Sequence, residues 1–131
     1  MSNIVINEGR YSSDWLKAVS TVSGFSYEEA IIASGAGKLE SGTVLGQVTA
    51  TGKFKAVTVA ASDGSQNAKA ILLRGVDATS ADAACVIVAR EAIVVHQGLR
   101  YGADIDTAAE RLAVHNALRS LNPPILVREG A

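Results

Sequence analysis

The sequence predicts a mainly β protein, small and mostly antiparallel, with one α-helix near its carboxyl end and a flexible amino-terminal arm. From Glu28 onward, short β-branched runs alternate with glycine-containing turns, which is typical of strands joined by tight connections. A single helical pattern, which begins near Thr107, interrupts them. Because 131 residues suffice for one domain, we divide the chain into an arm at residues 1–27 and a β-rich domain at residues 28–131.

The arm is distinguished by its composition. It is rich in serine and has no sustained hydrophobic period, and its only strongly apolar groups are Ile4-Val5-Ile6 and Trp15-Leu16. A segment with so little apolar surface cannot offset the conformational entropy that ordering it would cost. We therefore expect residues 1–27 to be mobile when the protein is alone.

The domain is predicted from runs of β-branched residues. Residues 43–49 alternate as in a half-buried strand, and residues 54–60 form the next one, with Val57 and Val59 on one face. The Asp63-Gly64 pair is a strong hairpin signal. We expect a turn-rich link at 75–82, and further strands at 30–33, 68–73, 84–89, 92–95 and 125–127.

The helix is predicted at about 106–121. Thr107 and Glu110 match the capping-box pattern at its start, and Pro123-Pro124 stops it. Its apolar residues lie on two opposite sides, so both sides should be buried. Either strands of the same chain cover both sides, or one side faces a neighbouring subunit. The candidate subunit-interface residues are Val114, Leu118 and Leu121, opposite Ile105, Ala109 and Leu112.

Composition and charge limit which partners the protein could bind and in which cellular compartment it could fold. The net charge is −1 and the basic residues are scattered, which argues against nucleic acid as a direct partner. A lone Cys85 excludes an internal disulfide and fits a reducing cytoplasm. We expect no membrane association, because no apolar run could span a bilayer and the amino end lacks a secretory pattern.

Residues that could support chemistry are scarce. His96 and His115 do not belong to a metal-binding spacing, and Cys85 lies in an apolar run where a thiol acts as a small hydrophobe. Gly35-Ala36-Gly37-Lys38 lacks the remaining residues of a phosphate-binding loop and indicates a turn. We therefore expect no enzymatic activity, no cofactor and no metal.

A carrier domain is one alternative. The stretch from Leu39 to Gly46, followed by hairpins, has the rhythm of lipoyl- or biotin-carrier domains, which present a lysine at a hairpin tip. Lys53 and Lys55 lie near a turn, but the neighbour that is characteristic of those domains is missing.

Several segments, in a specific order, carry a family resemblance. They are Glu8-Gly-Arg10, Asp14-Trp-Leu16, the stretch from Leu39 to Phe54, Ala61-Ser-Asp-Gly-Ser-Gln66, Ala70-Ile-Leu72, Val76-Asp-Ala-Thr79, Val86-Ile-Val-Ala-Arg90, and the late helix before Pro124-Ile-Leu-Val127. Together they resemble the head decoration proteins of lambda-like tailed bacteriophages. The likeness covers most of the chain and is loosest between Lys17 and Tyr27.

The resemblance implies a β-clip-like fold without catalytic residues that assembles as a homotrimer. Such trimers bind the outside of the expanded head at three-fold and quasi-three-fold positions, and hold major capsid protein subunits together against the pressure of packaged DNA. It also implies assembly in the host cytoplasm, and an arm that becomes ordered on the shell. The capsid-binding residues that we expect in the arm are Ile4, Val5, Ile6, Glu8, Arg10, Trp15 and Leu16, and the candidate trimer interface from the helix pattern is the Val114, Leu118 and Leu121 face.

The arm is suited to such a role on physical grounds. A β-branched triplet such as Ile4-Val5-Ile6 can add a strand to an exposed sheet edge through backbone hydrogen bonds. Trp15, the only tryptophan, is a candidate anchor for a pocket of the partner; alternatively, its indole packs on the protein's own core. A trimeric module that binds a host surface is the rival function, since it needs the same symmetry.

Overall fold

The computed structural model describes residues 15–19, 25–102, 105, 107–121 and 123–128. Within them the chain forms a mainly β structure with one α-helix near the carboxyl end, as the sequence predicts. The strands are β1 (Leu16–Val19), β2 (Tyr27–Ile32), β3 (Gly37–Leu39), β4 (Val44–Gln47), β5 (Phe54–Ala56), β6 (Ala68–Leu72), β7 (Val76–Ala78), β8 (Ala83–Val88), β9 (Ala92–Val95) and β10 (Ile125–Arg128). A short 3-10 helix (His96–Gly98) follows β9, and the α-helix α1 spans Ala108–Arg119.

Five strands close into a barrel in the order β2-β5-β4-β6-β8. Its longest ladder joins β2 to β8 antiparallel, from Tyr27 opposite Val88 to Ile32 opposite Ala83. The pairs of β4 with β5 and β6, and of β6 with β8, are antiparallel as well, whereas β2 and β5 run parallel. Alternate side chains point inward, and they form one of two cores: Ile32, Leu45, Phe54, Ala70, Leu72, Ala78, Cys85 and Ile87.

A second layer packs on the barrel. It consists of a three-stranded sheet in the order β1-β9-β10 and of α1, which contacts β10 and β6. β10 runs parallel to β9, because the chain crosses over through α1 between these strands, and parallel neighbours need such a crossover. The second core lies between the layers and includes Trp15, Val57, Ile71, Val94 and Leu118.

The predicted start of the helix is confirmed. The Oγ1 of Thr107 accepts a hydrogen bond from the backbone N–H of Glu110, and the carboxylate of Glu110 accepts one from the backbone N–H of Thr107, each at 3.2 Å. This reciprocal pair satisfies two amide groups that the first helical turn leaves without partners. The helix itself is shorter than predicted, since it ends at Arg119.

The interpretation of Val114, Leu118 and Leu121 as a trimer interface is wrong. Val114 and Leu118 are buried in the second core of their own chain, and the half-buried Leu121 packs against the same core. On the opposite side Leu112 is 58% exposed, although Ile105 is buried. The two-sided apolar pattern is therefore explained by this chain's own layers on one side and an exposed leucine on the other.

The predicted arm of residues 1–27 extends too far. β1 lies inside it and pairs antiparallel with β9, with Leu16 opposite Val94 and Ala18 opposite Ile93 across an irregularity in the register. β2 also begins within the predicted arm, at Tyr27. Local composition missed β1 because its partner β9 lies more than seventy residues away, and it placed the start of β2 three residues too late. Residues 1–14 and 20–24 lie outside the described part of the chain.

Two strand predictions need further correction. The strand predicted at 54–60 ends at Ala56, and the next valines have different environments: Val57 is buried in the second core, whereas Val59 is 49% exposed. The link predicted at 75–82 contains β7, which pairs antiparallel with β3. The second error arises where the chain leaves the barrel for another sheet, which alternation alone does not reveal.

Candidate functional site

Trp15, which directly precedes β1, anchors this end of the described chain to the domain. Its side chain is fully buried. The indole Nε1–H donates a hydrogen bond to Ser41 Oγ at 2.9 Å, and this hydroxyl donates to the carbonyl of Leu73 at 2.7 Å. On the backbone, the N–H of Val95 donates to the Trp15 carbonyl at 2.8 Å. We call this set of contacts, together with Gly42, the Trp15 root.

Gly42 is required beneath the indole. Its backbone has a φ of +92°, which side-chain-bearing residues rarely adopt. A Cβ at this position would lie 2.9 Å from Trp15 Cδ1 and 2.8 Å from the carbonyl oxygen of Gly98. The indole therefore packs on bare backbone, which holds Trp15 in a buried position.

The capsid-binding residues predicted from sequence fall into two groups. Ile4, Val5, Ile6, Glu8 and Arg10 lie outside the described residues. Trp15 and Leu16 belong to the fold, and both pack in the second core. The interpretation of Trp15 as an anchor for a partner's pocket is therefore wrong, and its alternative, an indole on the protein's own core, is what the structure has.

An apolar patch that the sequence did not predict lies on the outside of the barrel. Ile31 on β2 is 39% exposed and Val86 on β8 is 38% exposed. In the ladder, Ile31 lies opposite Ala84 and Glu29 opposite Val86, so all four side chains share one face. The alternation of β2 and β8 predicts that one face is exterior, but not that three of these four residues would be apolar.

The lysines that the carrier alternative requires are both engaged. Lys53 Nζ lies 2.6 Å from Asp82 Oδ2, and Lys55 Nζ lies 3.2 Å from Asp63 Oδ2. A carrier lysine must reach out from its hairpin to be modified, whereas these two are paired with carboxylates along the barrel. The contacts argue against the carrier alternative.

Carboxylates in the described turns act as hydrogen-bond acceptors. Asp63 Oδ1 accepts from the Ser65 hydroxyl at 2.6 Å and from the Ser65 amide at 3.0 Å. These bonds, with Lys55 nearby, lower the pKa of Asp63 to about 2. Thr79 lowers the pKa of Asp77 in the same manner, and Lys53 with the Ser34 amide lowers that of Asp82. Burial raises the pKa of the Cys85 thiol, which disfavours the nucleophilic thiolate.

The lowered pKa of Asp63 predicts how the stability of the folded protein changes at acid pH. Because its pKa in the folded protein lies below the value of about 3.9 in an unfolded chain, its contribution is fully present above that value. It is lost as the pH falls toward 2. We expect the stability difference between the wild type and Asp63→Asn, measured by urea unfolding, to be constant from pH 5 to 7 and to shrink between pH 4 and 2. Asp77 and Asp82 are present in both proteins, so their titration cancels in the difference. A stability difference that stays constant from pH 7 to pH 2 would contradict this account.

Three aromatic side chains, two from the segment after β9 and one from the helix, meet beside α1. Tyr101 Oη lies 3.0 Å from His96 Nδ1 and 2.7 Å from His115 Nε2. The two imidazole centroids are 5.0 Å apart, with the rings nearly perpendicular. Spacing in the sequence gave no signal for this cluster, because the packing of the helix brings His115 to the segment that follows β9.

In the described part of the chain, no group of three or more histidine, cysteine, aspartate or glutamate residues is arranged to hold a metal ion. No described helix combines the length and the apolar character that crossing a membrane requires.

The fold and the Trp15 root define a small β-barrel protein in which Trp15, just before β1, is buried against the domain. The family model of the bacteriophage lambda head decoration protein D matches residues 5–123. The chain therefore belongs to this family of structural phage capsid proteins. No curated protein matches the chain.

Proposed function

We propose that the protein binds as a homotrimer to the outside of the expanded phage head, at three-fold and quasi-three-fold sites. There it holds neighbouring subunits of the major capsid protein together against the pressure of packaged DNA. Family membership over residues 5–123 is the observation that carries this proposal. The match includes most of the segment that precedes the Trp15 root as well as the whole barrel.

The amino-terminal segment supplies the contact with the major capsid protein. Ile4, Val5 and Ile6 add a strand to an exposed sheet edge of the shell, and Glu8 and Arg10 provide polar contacts beside it. The Trp15 root supports this role because it makes the domain a fixed base for residues 1–14. Trp15 and Leu16 contribute by holding that base and not by touching the shell.

Symmetry and mass action complete the mechanism. A trimer presents three segments to a three-fold site, so contacts that are individually weak add through effective concentration. A protein that binds the expanded lattice and not its precursor stabilises the expanded form. Neither step needs catalysis, and we propose that the protein is not an enzyme. The charged turn carboxylates and the protonated Cys85 thiol are consistent with a structural role.

Removing residues 1–14 tests the proposal. We expect the truncated protein, which keeps Trp15 and β1, to unfold cooperatively and to lose binding to expanded heads that lack the protein. The measurement is co-sedimentation with such heads, assembled from the major capsid protein of the same phage. A triple variant in which Ile4, Val5 and Ile6 are all changed to Ser keeps the length of the segment but removes its β-branched residues. It should bind as poorly as the truncated protein. Full binding by the truncated protein would rule out the segment as the capsid contact.

A further inference from the structure

We propose that His96, Tyr101 and His115 form a binding site for one divalent transition-metal ion, such as Zn²⁺, Cu²⁺ or Ni²⁺. This inference concerns the side of the domain where α1 packs, and it is independent of head decoration.

The three donor atoms converge on one point. His96 Nδ1 and His115 Nε2 both face the Tyr101 hydroxyl, at 3.0 Å and 2.7 Å. The two imidazoles meet edge to face at 74°, with centroids 5.0 Å apart. The phenol ring of Tyr101 lies 6.1 Å from each imidazole. Two rings from the segment after β9 and one ring from α1 therefore meet at the Tyr101 hydroxyl.

This spacing agrees with that of a metal tripod. With metal–nitrogen and metal–oxygen bonds of about 2.0–2.1 Å in a tetrahedral site, two coordinated imidazole centroids lie about 5 Å apart, and a coordinated phenol ring lies about 6 Å from each. The observed separations are 5.0, 6.1 and 6.1 Å. Donor atoms around such an ion are about 3.3 Å apart, so the hydrogen-bonded donors need to separate by only a few tenths of an ångström.

The donor chemistry selects the class of ion. Neutral imidazole suits zinc, copper and nickel better than calcium or magnesium, which prefer sets of oxygen ligands. In the metal-free state the Tyr101 hydroxyl donates to one imidazole and accepts from the N–H of the other. When the ion binds, it takes the place of the phenol proton, which is released to solvent. The imidazole that had donated its N–H to Tyr101 carries that proton on its other ring nitrogen in the bound state, so both facing nitrogens have a lone pair for the ion. All three side chains are half-buried, so water can reach the ion as a fourth ligand.

The donor set limits the affinity. Two imidazoles and a phenol include no thiolate, so we expect binding weaker than that of structural zinc sites with thiolate ligands. The bound ion would connect α1 to the segment after β9, and any such ligand raises the melting temperature.

The test uses the full-length protein, freed of metal and titrated at pH 7.5. We expect one Zn²⁺ per chain by calorimetry, a rise in melting temperature, and a phenolate-to-copper charge-transfer band with Cu²⁺. His96→Gln and His115→Gln should each weaken binding about tenfold or more. Tyr101→Phe should abolish the copper band. Tyr27→Phe, at a tyrosine outside the cluster, is the matched control and should change neither.

If a variant fails to fold, a measurement on the wild type tests the site instead. Since the chain has two histidines, its imidazole NMR signals should both shift on stoichiometric addition of Zn²⁺. Unshifted histidine signals, affinity unchanged in both glutamine variants, or a copper spectrum without a phenolate band would overturn the site. The cluster would then be a hydrogen-bonded support for α1 only.

Discussion

Replacing Trp15 with alanine should cost about 3–5 kcal/mol of folding free energy, the range expected for truncating a fully buried tryptophan. This is a large share of the 5–15 kcal/mol that stabilises a typical domain. The loss combines the apolar surface, the cavity between the layers, and the hydrogen bond to Ser41. Urea unfolding followed by circular dichroism is the measurement, because the variant removes the only tryptophan.

Trp15→Phe is the matched control for this change. It keeps much of the apolar surface and removes the indole N–H, so we expect a cost of about 1–2 kcal/mol. The binding of folded Trp15→Phe to expanded heads should be close to that of the wild type. If Trp15→Ala instead left stability within about 1 kcal/mol of the wild type and removed head binding, Trp15 would be a partner anchor after all.

Leu118→Asp should unfold the protein outright. Leu118 is fully buried in the second core, and an unpaired carboxylate placed there costs several kcal/mol. We expect the loss of the cooperative unfolding transition, observed by circular dichroism at one fixed protein concentration.

The same substitution on the other side of the helix provides the comparison. Leu112→Asp introduces the same charge at a side chain that is 58% exposed, and stability should change by about 0.5 kcal/mol or less. A folded, monomeric Leu118→Asp protein, from a wild type that sediments as a trimer, would show that this face of the helix is a subunit interface.

Features that depend on neighbours in sequence could be predicted. The capping box of Thr107 and Glu110 spans four residues and is fully encoded in them. Runs of β-branched residues likewise placed β4, β6, β8 and β9 to within a few residues. The family resemblance, carried by many short segments in order, is confirmed by the match over residues 5–123.

Features that depend on long-range packing could not be predicted. Composition marked Trp15 as part of a mobile arm, although β9 and Ser41 bury it from more than twenty residues away. The helix pattern identified an apolar face at Val114 and Leu118 without revealing whether the covering surface belonged to the same chain. The convergence of His96, Tyr101 and His115 likewise exists only once α1 has packed.

Binding to heads of defined maturation state tests head decoration most directly. Purified protein is mixed with expanded and with unexpanded heads of its phage, and the bound copies are counted after sedimentation. We expect binding to expanded heads that saturates at three copies per three-fold or quasi-three-fold site, and little binding to unexpanded heads. The decorated heads should also withstand heating to a higher temperature than bare ones. Absence of binding to expanded heads, or equal binding to both forms, would contradict the proposed function.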